Sequence, residues 1–254
     1  QETSSATTPA SGVARMASVL ELSLQEHALL WAPPALYALG FVPLCRFLVR
    51  SPSVAKAILS LRSTHNVLLA AYSAVAALAA LAALASRPLS PHGCLCAPVG
   101  TAPLLVTSWY LSKFVEWFDT ALLLAAGKEL SSLHYNHHLT TATVVASHFV
   151  GRSVRTSIFD IPLLLNAAVH TLMYTYYWWP ALVRPLKRVL TQMQIVQHMS
   201  VLLSILYTTG TLLAGGECDI SVFANGLSLC LYGMYLLQFL LFYAGRYGTK
   251  ERRA

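Results

Sequence analysis

The segment NVLLAAYSAVAALAALAALA, residues 66–85, has no charged side chain over its 20 residues. A helix of about 20 apolar residues is long enough to cross the hydrocarbon core of a bilayer, so the segment predicts a transmembrane helix. Further apolar stretches, bounded by proline, glycine or charged residues, lie at 29–49, 103–125, 131–150, 159–180, 190–214 and 222–245. The sequence therefore predicts an all-α integral membrane protein with about seven transmembrane helices, and six or eight are the alternatives.

The overall composition supports this fold class. Of 254 residues, 56% are hydrophobic and only 11% are charged, whereas soluble domains have about 25% charged residues. The net charge of +7 comes from basic residues at the ends of apolar segments, without the patch interleaved with aromatics that is typical of nucleic-acid binding. We divide the chain into a Ser/Thr/Ala-rich stretch at 1–15, expected to be disordered or to be a leader or extension, a single membrane domain at 16–247, and a basic tail at 248–254.

The distribution of lysine and arginine predicts the orientation, because basic residues accumulate in cytosolic loops. With the N-terminus on the lumenal side, twelve basic residues fall on the cytosolic side: Arg46, Arg50, Lys56, Arg62, Lys128, Arg184, Lys187, Arg188, Arg246, Lys250, Arg252 and Arg253. Four fall on the opposite side: Arg15, Arg87, Arg152 and Arg155. We therefore expect a cytosolic C-terminus.

Three cysteines fall in the predicted lumenal loops: Cys94 and Cys96 before the third span, and Cys218 between the last two. Oxidising compartments allow disulfides to persist, so we expect a bridge from Cys218 to Cys96 or, less favoured, to Cys94. Free thiols are the alternative.

The fourth predicted span begins with a cluster of histidines. His134, His137 and His138 have the spacing i, i+3 and i+4, which places all three imidazoles on one face of a helix. Ionisable side chains inside a membrane are costly, by roughly 2.5 to 3.5 kcal/mol each at the bilayer centre, and by default indicate a functional site. The spacing leaves two roles open, which are metal ligation and acid, base or nucleophilic chemistry.

The third predicted span contains Lys113, Glu116 and Asp119 within SKFVEWFDT, residues 112–120. Facing lipid, the three charges would together cost on the order of 8 to 10 kcal/mol, so we expect them to face the protein interior. For Glu116 and Asp119, the alternative to a role in substrate binding is a structural ion pair that joins two helices.

Two later spans contain polar residues that recur every three or four positions. Asn166, His170 and Tyr174 follow each other by four residues, and Gln194 and Gln197 lie one turn apart. Polar faces on consecutive spans predict a shared internal cavity, since each would be penalised in contact with lipid.

Four blocks, SKFVEWFDT, LHYNHH, NAAVHTLMYTYYW and TQMQIVQ, resemble in order and spacing the ELO family of very-long-chain fatty acid elongases. The resemblance implies a barrel of six helices around an acyl-chain tunnel, with one peripheral helix. It also implies a 3-ketoacyl-CoA synthase that condenses acyl-CoA with malonyl-CoA, releasing CO2 and CoA. No metal or organic cofactor is then expected.

The resemblance also implies partners and a location. A ketoacyl reductase, a dehydratase and an enoyl reductase would complete the elongation cycle, and a homodimer is left open. The tail KERRA, residues 250–254, is similar to dibasic retrieval signals, which favours residence in the endoplasmic reticulum.

Under this resemblance, His137 is expected to be the nucleophile or central base, and His134, His138 and His170 are expected to position it and to stabilise oxyanion charge. The residues expected to shape the substrate site or hold the CoA end are Lys113, Glu116, Asp119, Asn166, Tyr174, Gln194 and Gln197. The sequence departs from the usual family pattern at Ala126 and Gly127, which precede Lys128, and at His198, which stands where an aromatic residue is common.

Two other classes of protein fit part of the pattern. Membrane di-iron desaturases and hydroxylases also use the HxxHH spacing, but they need about eight histidines in three such boxes; this chain has nine histidines and one box. A seven-helix transporter or receptor would equally have a polar interior, and proton relays within spans use the same residue types.

Overall fold

The structure is a computed structural model that describes residues 23–88, 90–96, 103–150, 159–218 and 220–248. The stretch 1–15 and most of the 248–254 tail lie outside these residues, as do Arg152 and Arg155. Helices account for the regular structure: α1 (Leu24–Ala35), a π-helix (Leu36–Phe41), α2 (Val42–Leu48), α3 (Pro52–Ser60), α4 (Arg62–Ala85), α5 (Pro91–Leu95), α6 (Pro103–Glu116), α7 (Phe118–Ala125), α8 (Ser132–Val150), α9 (Asp160–Trp178), α10 (Pro180–Val183), a 3₁₀-helix (Arg184–Leu186), α11 (Lys187–Leu213) and α12 (Val222–Tyr247).

Local sequence explains several helix ends. Ser23 and Glu26 form a capping box at the start of α1, and the Ser221 hydroxyl accepts a hydrogen bond from the third residue of α12. Gly127 and Gly215 follow α7 and α11 with φ angles of 67° and 79°. This left-handed conformation favours glycine, so these positions stop the two helices.

Two prolines, Pro33 and Pro34, lie inside α1. Proline has no N–H group and its ring clashes with the carbonyl group four residues earlier, so the regular hydrogen-bond ladder is interrupted. The next six residues widen into the π-helix before α2 resumes the α-helical pattern. Residues 24–48 thus form one helical body with a local irregularity.

The helices confirm an all-α integral membrane protein that crosses the bilayer more than once. Among the described residues, four segments are long and apolar enough to span a membrane: Leu24–Leu48, Pro52–Ala85, Lys187–Leu213 and Val222–Tyr247. The predicted spans at 103–125, 131–150 and 159–180 are also helical, but their polar residues dilute the apolar character and the first is interrupted. The number of seven spans remains a prediction.

The distribution of side chains is inverted relative to a soluble protein. Leu39, Leu104 and Leu213 are more than 80% exposed, whereas Lys113 and Glu116 are each 3% exposed. Extensive exposed apolar surface combined with buried charge is what a lipid environment requires.

The long helices contact one another in a closed order. α4 packs most extensively against α9, and contacts then run from α9 to α11, from α11 to α12, from α12 to α8, from α8 to α6, and from α6 back to α4. α1 packs against α8. Six helices are therefore arranged as a ring of contacts, and whether the ring encloses an acyl tunnel remains a prediction.

One end of the ring is held by covalent and ionic contacts. A disulfide joins Cys96 to Cys218, the pairing that the sequence favoured, and Cys94 is a free thiol. Arg87, after α4, forms a fully buried ion pair with Asp160 at the start of α9. Both contacts lie at the same end of the helices and connect segments that are distant in the sequence. The Cys96–Cys218 disulfide also packs in a hydrophobic cluster with Phe159.

Candidate active site

The predicted span 103–125 is interrupted at Trp117, which separates α6 from α7. The Trp117 N–H donates to the Phe114 carbonyl oxygen at 3.2 Å, a three-residue step that tightens the turn. The Trp117 indole Nε1 donates to the His138 carbonyl oxygen at 3.0 Å. The interruption ties α7 to α8, and the charged side chains before and after it contact different neighbours.

Lys113 and Glu116 form the first polar cluster, and both are buried, as expected. Lys113 Nζ donates to Glu116 Oε1 at 2.7 Å and to Asn166 Oδ1 at 3.1 Å. Trp109 Nε1 donates to the same Asn166 oxygen at 2.9 Å. Because two donors share this oxygen, the orientation of the Asn166 amide is fixed.

The fixed amide determines which nitrogen of His170 carries the proton. Asn166 Nδ2 donates to His170 Nε2 at 3.2 Å, so Nε2 accepts and the proton of the neutral ring is assigned to Nδ1. His170 Nδ1 lies 3.5 Å from Glu116 Oε1. Both nitrogens of His170 therefore face groups of the protein.

Asp119 belongs to a second polar cluster. The Tyr174 hydroxyl donates to Asp119 Oδ2 at 2.6 Å, and His65 Nε2 lies 3.0 Å from Asp119 Oδ1. Asp119 thus joins α7 to α4 and α9. His65 lies 54 residues before Asp119, so no local pattern in the sequence connects the two; an ionisable group next to an apolar span is the signal that could have found it.

His134 is held by a third set of contacts. Thr120 Oγ1 lies 2.8 Å from His134 Nε2 and 2.8 Å from the Tyr37 hydroxyl. Thr120 and Tyr37 are fully buried. This chain of hydrogen bonds connects α8 to α7 and to the π-helix, and it occupies one of the two His134 ring nitrogens.

The three clustered histidines lie side by side, as their spacing predicted. The ring centroids of His134 and His138 are 4.2 Å apart, and those of His137 and His138 are 5.5 Å apart. His137 also lies against Tyr235, with 5.3 Å between ring centroids. Among the described residues, the ring nitrogens of His137 have no hydrogen-bond partner, unlike the Nε2 atoms of His134 and His170.

His137 lines a narrow cavity between α6, α8, α9, α11 and α12. The other polar residues of its wall include Lys113, Asn166, Gln197 and His198. Gln194 lies elsewhere, with Nε2 3.9 Å from the sulfur of Met173. The structure therefore brings Gln197 to His137 but does not bring Gln194 there.

A second, mainly apolar cavity lies next to the first. Both are lined by Trp109, Val144, Val145 and Tyr232. The second cavity extends along the same helix, α8, to His148 and includes Phe159 and Ile205. We call these two adjacent cavities, the polar one at His137 and the apolar one at His148, the crevice.

The described residues contain no group of three or more His, Cys, Asp and Glu side chains placed to hold a metal ion. His134 Nε2 and both nitrogens of His170 face protein groups instead. The arrangement thus gives no geometric support to the di-iron alternative.

The match to a known protein family confirms the resemblance that the sequence motifs indicated. Residues 32–254 match the model of the ELO family, described as the GNS1/SUR4 family. The chain belongs to the ELO family. The matched range includes all three polar clusters and the crevice, so the site described above lies entirely within the ELO region.

Curated relatives of this chain are named as fatty acid elongases. Putative fatty acid elongase 2 of Schizosaccharomyces pombe (strain 972 / ATCC 24843) is 34% identical over 160 residues, which is 58% of this chain and 43% of that protein. Putative fatty acid elongase 1 of the same organism is 32% identical over 177 residues, 63% of this chain and 52% of that protein. Very long chain fatty acid elongase 4 of Trypanosoma cruzi (strain CL Brener) is 30% identical over 147 residues, 56% of this chain and 50% of that protein. The chain spans about half the length of the curated relatives it matches.

Proposed function

We propose that this protein is a fatty acid elongase that condenses a long-chain acyl-CoA with malonyl-CoA to form a 3-ketoacyl-CoA, CO2 and CoA. Membership of the ELO family and the names of its relatives support elongation. The observation that carries the chemical assignment is His137, whose ring lines the cavity and whose nitrogens have no partner among the described residues. A free imidazole nitrogen is what a nucleophile or a general base requires.

In the first step, His137 attacks the thioester carbonyl of the acyl-CoA. The carbon–sulfur bond breaks, an acyl-imidazole forms, and CoA leaves as a thiolate that takes up the proton released by the ring. Lys113 stabilises the oxyanion of the intermediate. Its ammonium group has three N–H donors, of which two are used by Glu116 and Asn166, so the third is available to substrate.

In the second step, malonyl-CoA loses CO2 and its methylene carbon becomes an enolate carbanion. This carbon attacks the acyl carbonyl, a carbon–carbon bond forms, and the bond to His137 breaks. If His137 acts instead as the central base, it takes a proton from the methylene carbon of malonyl-CoA, and this carbon attacks the acyl-CoA thioester directly. CoA then leaves as a thiolate, the condensed intermediate loses CO2, and the proton on His137 returns to the same carbon. His170, fixed between Asn166 and Glu116, is a positioning residue that keeps the polar wall in a single arrangement.

The hydrocarbon chain of the substrate would lie in the crevice along α8, enclosed by the ring of six helices. The reaction needs no metal or organic cofactor, because imidazole and the thioesters supply all the reacting groups. Reduction and dehydration would be done by partner enzymes in the membrane of the endoplasmic reticulum. There the C-terminus would be cytosolic and the N-terminus lumenal.

Purified protein incubated with labelled malonyl-CoA and a panel of acyl-CoA primers tests the proposal. We expect labelled 3-ketoacyl-CoA two carbons longer than the primer, and a loss of at least about 10²-fold in His137→Ala. His27→Ala is the matched control, since His27 is exposed on α1. Mass spectrometry of a quenched reaction without malonyl-CoA should find an acyl adduct on the peptide containing His137 if this residue is the nucleophile.

Three results would count against the proposal. Unimpaired condensation by His137→Ala would remove the residue from the chemistry. The absence of labelled product across the whole panel would favour transport, and two irons per chain in an oxidising enzyme would favour a desaturase.

A further inference from the structure

His148 lies on the same face of α8 as His137. The two residues are 11 positions apart, and 11 steps of about 100° amount to three turns plus about 20°. The rise over this distance is about 16 Å. Both side chains line the crevice, His137 at its polar end and His148 in the apolar section.

His148 is paired with a serine of α12. His148 Nε2 lies 3.0 Å from the Ser228 hydroxyl oxygen, and His148 Nδ1 is buried without a hydrogen-bond partner. A T-shaped contact with Phe159, at 4.9 Å between ring centroids, holds the imidazole ring in place. His148 is 9% exposed and Ser228 is 1% exposed.

The pair has one hydrogen-bond donor more than it uses. A neutral imidazole carries one N–H and serine carries one O–H, and one of these two protons occupies the contact between them. The other proton remains on His148 Nδ1 or on the Ser228 hydroxyl, depending on the tautomer. A third polar side chain of this cavity, Ser204, already donates to the Ser200 carbonyl oxygen at 2.9 Å, so it offers no spare donor.

We propose that His148 and Ser228 form a subsite that recognises a carbon–carbon double bond in the acyl chain of the substrate. This inference rests on the proposed elongase function and specifies its substrate class as unsaturated long-chain acyl-CoA. The π electrons of a double bond accept the spare N–H or O–H, whereas a saturated chain leaves this donor without a partner in an apolar wall.

A double bond suits this donor because it accepts one hydrogen bond and brings no proton of its own, so it adds no further polar group to satisfy in a mainly apolar wall.

The distance along α8 specifies where the double bond lies. An extended acyl chain advances by about 1.25 Å per carbon, given carbon–carbon bonds of about 1.5 Å. With the thioester carbon at His137, a separation of about 16 Å along the helix corresponds to about 13 carbons. Double bonds close to the thioester would miss the subsite.

The experiment compares three primers of equal length: icosanoyl-CoA and two positional isomers of cis-icosenoyl-CoA, with the double bond about 5 or about 13 carbons from the thioester. In a competition assay, we expect wild-type protein to favour the distal isomer by about three-fold to five-fold in kcat/KM, as befits a weak hydrogen bond. The two isomers share length, mass and unsaturation, so a preference reports position alone.

The double variant His148→Leu/Ser228→Ala removes both possible donors and replaces them with apolar groups. We expect this variant to elongate icosanoyl-CoA and to treat both isomers alike, within about 1.5-fold. Ser204→Ala is the matched control, because it removes a hydroxyl from the same cavity wall without removing a spare donor. It should retain the wild-type preference.

Thermal stabilisation of the protein by each acyl-CoA gives a second measurement that does not need catalysis, since a ligand raises the melting temperature according to its affinity. If wild-type protein elongates all primers but shows no preference between the two isomers in either measurement, the proposed subsite is refuted, and the His148–Ser228 contact only joins α8 to α12. If nothing is elongated while the distal isomer stabilises best, the subsite stands and the proposed function fails.

Discussion

Replacing Glu116 by leucine should destabilise the protein strongly, because it leaves the Lys113 ammonium group buried without its counter-charge. Both side chains are 3% exposed in the native structure. Of the two hydrogen bonds that Lys113 donates, only the one to Asn166 would remain. Removing one partner of a buried ion pair costs about 3–5 kcal/mol.

The double variant Lys113→Met/Glu116→Leu separates stability from function. Exchange of a whole buried pair for apolar residues of similar volume is often neutral or stabilising, so we expect the double variant to recover most of the lost stability. In both variants His170 loses Glu116 as a neighbour, so their difference reports the unpaired charge of Lys113. Condensation should be lost in the double variant even though its stability recovers, because no N–H donor of residue 113 remains for the oxyanion.

The assay is the apparent melting temperature of detergent-solubilised protein, from size-exclusion chromatography after heating, with condensation measured on the same samples. A change of 1 kcal/mol shifts the melting temperature by about 2–4 °C for a chain of this size, so Glu116→Leu should melt roughly 10 °C lower. Lys56→Met removes an exposed lysine and serves as the control, with an expected change within about 0.5 kcal/mol. A melting temperature of Glu116→Leu equal to that of wild type would refute the argument, as would full activity of the double variant.

Three further variants test other contacts. Replacing Cys96 and Cys218 by serine should lower stability by about 4–5 kcal/mol in the chain-entropy model, because the disulfide closes a loop with a sequence separation of 122. Wild-type protein with a reduced disulfide should melt at the same lower temperature. An unchanged melting curve in both samples would contradict the disulfide. Tyr174→Phe removes a hydrogen bond to the Asp119 carboxylate and should lower the free energy of unfolding by about 1.5–3 kcal/mol, measured by the same heating assay. Equal melting temperatures of the variant and the wild type would contradict this contact. Thr120→Val keeps the shape of the side chain but removes both of its buried hydrogen bonds, so a loss of about 1–3 kcal/mol is expected, and no loss would show that the hydroxyl is dispensable.

Helical periodicity explains why part of the site was predictable. Side chains three or four residues apart lie on one face of a helix whatever surrounds it. The grouping of His134 with His138, and of Asn166 with His170, therefore followed from spacing alone. The inward orientation of Lys113 followed in the same way, from the cost of placing a charge against lipid.

The contacts between helices did not follow from spacing. His65 lies 54 residues before Asp119, and no local pattern connects them. The same holds for Ser228, which lies 80 residues after His148, and for Gln194, whose position one turn from Gln197 gave no hint that it faces Met173. The interruption at Trp117 also depends on a partner, the His138 carbonyl oxygen on another helix.

The sequence by itself determined that the chain is helical, lies in a membrane, and keeps a polar interior, because hydropathy and periodicity act within single segments. Only the tertiary structure decided which polar groups neutralise one another and which remain free. That distinction depends on distances between atoms of different helices, and it is what separates His137, open to the cavity, from His134 and His170, which are held by their neighbours.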